Sequence, residues 1–389
     1  MRAFGRILGC AVAAATTLVA GVAFADKMDP ALERFVLNNR CIGTVDGVGK
    51  YYDPTAGFTR CLPDNLAFAK LVAQYGAAIA PVASYSARTT GFGGFKIGVQ
   101  GAFTTIDSDA PYWKNGTQGS VDRSTNQYSI VNNGPDDALQ LYSVRLAKGF
   151  PFGVELGASF GHLANTSLVT GGGDVRLSIL EGFRTNYGLG YLPDLAATGG
   201  IRTITGTSQL KLTVVSVDGV ISKPFPIQGS VVLQPHVGYQ WLRIFGDSGV
   251  VDMTPNTDPV QHCGYQGDNS PASPDPSKPA RDGQPYCSGS SADFNNNVVF
   301  DAVRLNRHRI NVGVDLRFQM VYLGLNFLTD LVPVDKANTG TKAVPDGADP
   351  SASKTIVVNP YSDDPRPTSP ENDAVKSQFT MSVELGAVF

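Results

Sequence analysis

The sequence predicts an all-β fold: a transmembrane antiparallel β-barrel of about ten strands, between about eight and twelve, with a small α-helical, disulfide-closed N-terminal segment. Three observations predict it. Near the C-terminus, Phe379, Met381, Val383, Leu385, Ala387 and Phe389 alternate with Thr380, Ser382, Glu384 and Gly386, a period-two strand with one apolar and one polar face. The same alternation recurs upstream, most cleanly where Phe152, Val154, Leu156, Ala158 and Phe160 interleave with Gly153, Glu155, Gly157, Ser159 and Gly161. Connections are of two kinds. Polar stretches at 107–137, 247–306 and 331–373 contrast with very short turns at 149–151, 224–226 and 319–320, the asymmetry of a barrel with long loops on one side of a membrane.

Residues 1–25 read as a secretory signal: Arg2 and Arg6, an apolar run over 7–22, then the small-residue site Ala23-Phe24-Ala25, so that the mature chain starts at Asp26. A lipoprotein reading of Leu8-Gly9-Cys10 is disfavoured because the apolar stretch follows the cysteine. After residue 25 no apolar run approaches the roughly 20 residues of a spanning helix. The net charge of -3, with basic residues scattered, gives no electrostatic case for nucleic acid. Four cysteines remain in two local pairs, Cys41 with Cys61 and Cys263 with Cys287, and two loop-closing disulfides are expected in an oxidising compartment. Their spacings are not those of a zinc site, and His262 adds the only other ligand type nearby, so neither a metal nor a cofactor is expected.

In chain order, 26–90 forms an N-terminal segment. A short amphipathic helix is expected over 30–39 (Ala31, Leu32, Phe35, Val36) and a second over 65–80, capped by Asp64, with Leu66, Ala69, Leu71, Val72 and Tyr75 on its apolar side and Pro81 ending it. Two placements are open: beneath the barrel in the periplasm, or inside the lumen as a plug. The barrel occupies 91–389. Its strands are expected at 95–104, 139–149, 152–164, 174–184 with a bulge at Ile179-Leu180, 199–205, 209–223, 228–246, 307–320, 321–330 and 379–389. A soluble β-sandwich accounts less well for strands of a dozen residues together with a signal and a terminal Phe.

The last strand resembles the C-terminal strand that bacterial outer-membrane barrels present to their assembly machinery, with Val383, Leu385 and Phe389 as the assembly signal. Three further segments carry a closer likeness: Thr89-Thr90-Gly91-Phe92-Gly93-Gly94-Phe95, the run from Lys148-Gly149-Phe150-Pro151-Phe152 to Gly157, and Ile221-Ser222-Lys223-Pro224-Phe225. They resemble an uncharacterised group of outer-membrane barrel proteins of myxobacteria and relatives, over about 65–246 and the final strand. The resemblance implies the cell outer membrane as location, and lipid and the barrel assembly machinery as partners. It supplies no substrate and no catalytic residues.

Inward-facing positions are read as Lys96, Arg145, Glu155, Arg176, Lys211, Arg309, Asp315, Arg317 and Glu384. Neighbouring strands set Arg145 near Glu155, and closure of the barrel sets Lys96 near Glu384. Such charges either neutralise one another across a packed lumen or form an Arg/Lys ring favouring anions. His162, read as facing lipid, with Asn165 and Ser167 close behind, is the only cluster suited to nucleophilic chemistry. It lacks an oxyanion donor or third member, so no enzyme is expected. The loop 247–306 suits a display surface and holds no regular calcium pattern. Three functions follow in order: a narrow porin-like channel or transporter for small solutes, a closed barrel anchoring a surface-interaction (adhesin or receptor) protein, and a lipid hydrolase.

Overall fold

The computed structural model describes residues 26–35, 63–82, 86–122, 127–128, 131–180, 192–227, 231–253, 263–265, 285–287, 297–331, 340–346, 349–358 and 375–389. Ten long strands form a single closed ring: β1 (Phe95–Thr105), β2 (Ala138–Gly149), β3 (Val154–Leu163), β4 (Val169–Ser178), β5 (Asp194–Thr205), β6 (Leu210–Ser222), β7 (Val231–Ser248), β8 (Val303–Phe318), β9 (Val321–Asp330) and β10 (Phe379–Val388). Each pairs antiparallel with its neighbours in sequence. The seam between β10 and β1 runs from Lys96↔Val388 to Thr104↔Thr380, so no ladder edge is left open. A short strand, Phe225–Ile227, adds to the start of β7.

The outer face is apolar. Ile97, Val99, Val144, Leu146, Leu156, Val175, Ile201, Val217, Val237, Val312 and Leu323 are all exposed, far more apolar surface than a water-facing sheet carries. Aromatic residues border this belt on both sides. Phe95, Phe150, Phe225, Phe318 and Phe389 lie towards the end carrying the turns 150–153 and 319–320; Phe103, Tyr142, Tyr239, Phe327 and Phe379 lie towards the end carrying 106–137, 249–302 and 331–378. Along β1 the eight steps from Phe95 to Phe103 span about 27 Å, or about 20 Å along the axis at the usual strand tilt, close to the apolar band of a membrane barrel. No helix among the described residues is long and apolar enough to cross a membrane.

Several boundaries differ from the sequence expectation. The fourth strand is Val169–Ser178, not 174–184, because its upper half is Gly171-Gly172-Gly173, which hides the alternation. It ends at Ser178, where a bulge was expected at Ile179-Leu180. β7 and β8 run into the expected loop 247–306, through Ser248 and from Val303. Their outer faces there carry Arg243, Asp247, Arg304 and Asn306, with Arg304 to Asp247 at 2.9 Å, so they project past the apolar belt. Of the expected helix 30–39, the described part holds a 3-10 turn, Leu32–Arg34, in which Arg34 and Phe35 bond three residues back to Ala31 and Leu32, and 36–39 lie outside the described residues. Cys263 and Cys287 are direct partners in a two-stranded ladder, while Cys41 and Cys61 lie outside the described residues.

The N-terminal segment runs through the ring. Residues 26–35 sit at the long-loop end: Met28 donates its amide to Asn165 O at 2.9 Å and Ala31 its amide to Gly116 O at 2.9 Å. Helix α1 (Asn65–Ile79) then fills the upper lumen, with Asp64 accepting the Ala67 amide as N-cap. Twelve of its fifteen residues are buried and Lys70 is its only charge, as expected for a helix enclosed on all sides. The ring matches it. Inward positions at this height are Leu139, Leu141, Leu163, Leu210, Leu212, Val214, Leu242, Ile244 and Leu305, one apolar cluster with α1. A second helix, α2 (Pro111–Gly116), caps it from the first long loop, with the Trp113 ring tilted against that of Tyr75 at 5.0 Å and its indole N–H donated to Gln74. Below α1 lie Pro81 and Val82, and Ser86 to Thr90 lead into β1 at the turn end.

Glycines in β7 admit the helix. A Cβ on Gly246 would lie 2.3 Å from Val72 Cγ1, whereas one on Gly219, on the outer face of β6, would meet nothing within 4 Å. Gly246→Val is therefore expected to destabilise the refolded protein by about 1–3 kcal/mol, read as an earlier loss of heat-resistant mobility on gels, and Gly219→Val to leave it unchanged.

Candidate functional site in the barrel lumen

Around the C-terminal half of α1 and below it the inward face turns polar and charged. Lys96, Arg145, Arg176, Arg202, Arg307 and Arg309, joined by Arg88 from the threaded segment, meet Glu155, Asp174, Asp194, Asp218, Asp315, Asp330 and Glu384, seven of each sign among the described residues. Charges this buried persist only when paired and hydrogen-bonded. Arg145 holds Asp174 through two contacts, Nη2 to Oδ2 at 2.5 Å and Nε to Oδ1 at 3.3 Å, and reaches Glu155 at 3.9 Å. Across the seam, Lys96 Nζ lies 3.5 Å from Glu384 and 3.9 Å above the Tyr322 ring, and Tyr322 donates its hydroxyl to the same carboxylate. Higher up, Arg307 pairs with Asp330 at 2.5 Å.

Most of these groups also hold the threaded segment. A helix leaves its last carbonyls without partners and favours cations there. Arg202 donates to Ile79 O and Ala80 O at 3.4 and 3.5 Å, Arg309 to Ala77 O at 3.5 Å, and Arg307 to Ala73 O at 3.0 Å. Further down, Gln240 donates to Pro81 O, Arg176 to Ser86 O, the Ser86 amide to Asp315, the Ala87 amide to Ser222, and the Thr90 amide to Glu155. Arg88 closes the series on Asp194 at 3.0 Å. A cavity of about 20 Å³ between Pro81, Arg145, Asp174, Arg202 and Asp218 has room for about one water.

Of the nine charges expected inside, Lys96, Arg145, Glu155, Arg176, Arg309, Asp315 and Glu384 are in the lumen. Lys211 is not: it faces outward beside Asp247, where β6 has risen past the apolar belt and water solvates the ammonium. Arg317 is at the exposed turn-end rim, with Nε donated to Gln319 O at 3.1 Å. Arg88, Asp174, Asp194, Arg202, Asp218, Arg307 and Asp330 are not among the expected positions. A usable signal existed for β6, because Asp218 and Lys211 have opposite parity and Asp218 lies between Val217 and Val220 within the belt, so it must face in.

His162 is exposed on the outer face, as its parity predicts. Its expected companions are engaged elsewhere. Ser167 Oγ bonds Asp29 Oδ1 at 3.0 Å and Asn165 Nδ2 bonds Asp136 at 2.7 Å. Nothing there forms a nucleophile–base pair.

No protein-family model matches the chain, and no curated protein matches it. Among solved structures, the attachment invasion locus protein Ail of Yersinia pestis, in complex with the heparin analogue sucrose octasulfate, is similar over 77% of this chain and 99% of its own, at 8% identity and a TM-score of 0.24. The outer membrane protease OmpT of Escherichia coli is similar over 76% of this chain and 95% of its own, at 9% identity and a TM-score of 0.22. At these scores nothing of either protein is carried over to this one.

Arg145→Met strands Asp174 and Glu155 without their shared cation. It is expected to cost about 3–5 kcal/mol, seen as a lower urea midpoint of the refolded protein by tryptophan fluorescence. Lys211→Met, outside the ring, is expected to shift that midpoint by less than about 0.5 kcal/mol.

Proposed function

We propose that this is an exported outer-membrane protein whose barrel is a closed mount. It presents the long-loop end, with residues 26–35 built into it, to the outside of the cell. The observation that carries this reading is the occupied lumen: α1 fills the upper part, and Pro81, Ser86 and Thr90 are bonded to the wall down to the turn end. The apolar belt between two aromatic borders supports the membrane setting, and Val383, Leu385 and Phe389 are the segment offered to the assembly machinery. The partner class for the mounted end is a macromolecule at the cell surface.

A standing pore for small solutes, the first expectation from sequence, fits less well. Solute passage requires α1 and the stretch below it to leave, breaking the arginine contacts at Ala73, Ala77, Ile79 and Ala80 together. The lining is also balanced in charge, so the Arg/Lys ring is no anion filter.

Planar-bilayer recording of the refolded protein tests the proposal. The expected outcome is no stepwise conductance at high salt from protein shown to be folded, and steps only after residues 26–80 are deleted. Reproducible steps from the full mature chain, with a reversal potential shifted in a salt gradient, would replace the mount by the channel.

A further inference from the structure

The cap at the long-loop end is organised around a buried carboxylate, Asp29. Only 5% of its surface is exposed. One oxygen, Oδ1, accepts from the Ser167 amide at 2.6 Å and from Ser167 Oγ at 3.0 Å; the other, Oδ2, accepts from the Asp26 backbone nitrogen at 2.7 Å. All three donors are neutral in the intact chain. Burial pushes the Asp29 carboxyl above the usual carboxylate range, and none of these donors carries a charge to offset it. Lys27, two residues before it in sequence, is held by Asp136 at 2.8 Å. Yet Asp26 is the residue that the cleavage site Ala23-Phe24-Ala25 would make the first of the mature chain.

We propose that removal of residues 1–25 creates the missing partner: the α-ammonium of Asp26 forms an ion pair with Asp29 and locks the threaded segment at the loop end. Hydrolysis of the Ala25–Asp26 peptide bond by a water molecule leaves a carboxylate on the released peptide and an amine on Asp26, which takes up a proton at neutral pH. The nitrogen already lies at hydrogen-bond distance from Oδ2, so the neutral contact becomes a charge-assisted one without rearrangement. Ser167 belongs to the turn joining β3 to β4, and the Met28 carbonyl next to Asp29 accepts the Tyr75 hydroxyl of α1. The pair therefore ties together the new amino end, the barrel rim and the lumenal helix. It rests on the reading of the chain as exported.

The experiment is selective acylation of the α-amine at pH 7, on protein extracted from outer-membrane fractions and still folded, and on the same protein unfolded in urea. The N-terminal peptide is identified and quantified by mass spectrometry, with the exposed Lys211 as internal reference. The ordinary α-amine has a pKa of about 7.7–8.0, and pairing that raises it by about one unit slows labelling about tenfold. Expected is a mature chain beginning at Asp26, labelled at least about tenfold more slowly when folded, and an Asp29→Asn variant labelled within about threefold of the unfolded rate. Where Asp29→Asn does not fold, one glycine inserted between Ala25 and Asp26 displaces the ammonium with Asp29 and Ser167 intact, and is expected to label as fast. A mature end elsewhere, equal rates in folded and unfolded wild type, or protection that persists in both variants would overturn the pair. Fractionation of the same cells reads the location separately: a protected Asp26 amine on protein outside the outer-membrane fraction would refute the setting and leave the pair standing.

Discussion

Closure of the hydrogen-bonded ring is the constraint on which everything else here depends. In hydrocarbon an unpaired backbone group costs several kcal/mol, so a sheet survives there only without edges. The seam between β1 and β10 meets that demand, and its residues are the first and last strands of the barrel. Closure also creates an interior. Ten strands enclose somewhat more room than the eight whose side chains fill the space between them, and the excess is taken up by chain from outside the sheet. That single geometric surplus explains why a helix with one charge in fifteen residues, which no surface would shelter, is stable where it is.

The two halves of the lumen solve the filling problem differently. Above, leucines of the wall pack against α1, and apolar contact needs no partner of defined geometry. Below, the chain is extended and its carbonyls and amides would be orphaned, so the wall supplies arginines, carboxylates and hydroxyls to meet them. Arg202 and Arg309 stand where the two halves join, because the C-terminus of α1 presents unpaired carbonyls there. A set of buried charges that looks like a selectivity device from composition is, in place, the socket of an internal helix end. Its near-exact neutrality follows from burial, since any excess charge would have no solvent to compensate it.

The period-two strands, their number and the end at which the long loops lie are legible because every strand keeps one apolar outer face. What was hard to read failed for identifiable reasons. Gly171-Gly172-Gly173 carries no side chains to alternate, so β4 was displaced; Lys211 lies past the belt, where the inward rule lapses. The placement of 65–79 was left open between two sites, although Phe68, Ala73, Ala77, Ala78 and Ile79 extend its apolar surface around the helix, which points to enclosure and not to one packed face. Contacts between the threaded stretch and the wall join residues more than a hundred positions apart, such as Ser86 with Asp315, and no local pattern announces them.

The direction of the threaded segment has a consequence for the order in which the molecule is put together. Residues 26–35 are at the loop end, while the residues leading into β1 are at the turn end, so the described residues ahead of β1 reach from one rim of the ring to the other before the first strand begins. The β1–β10 seam must then shut around a strand of chain already in position, or admit it before α1 forms. An extended chain passes where a folded domain does not, and whatever precedes residue 26 during assembly is held to the same bore. On the proposed reading of the chain as exported, removing residues 1–25 early is a matter of clearance as much as of address.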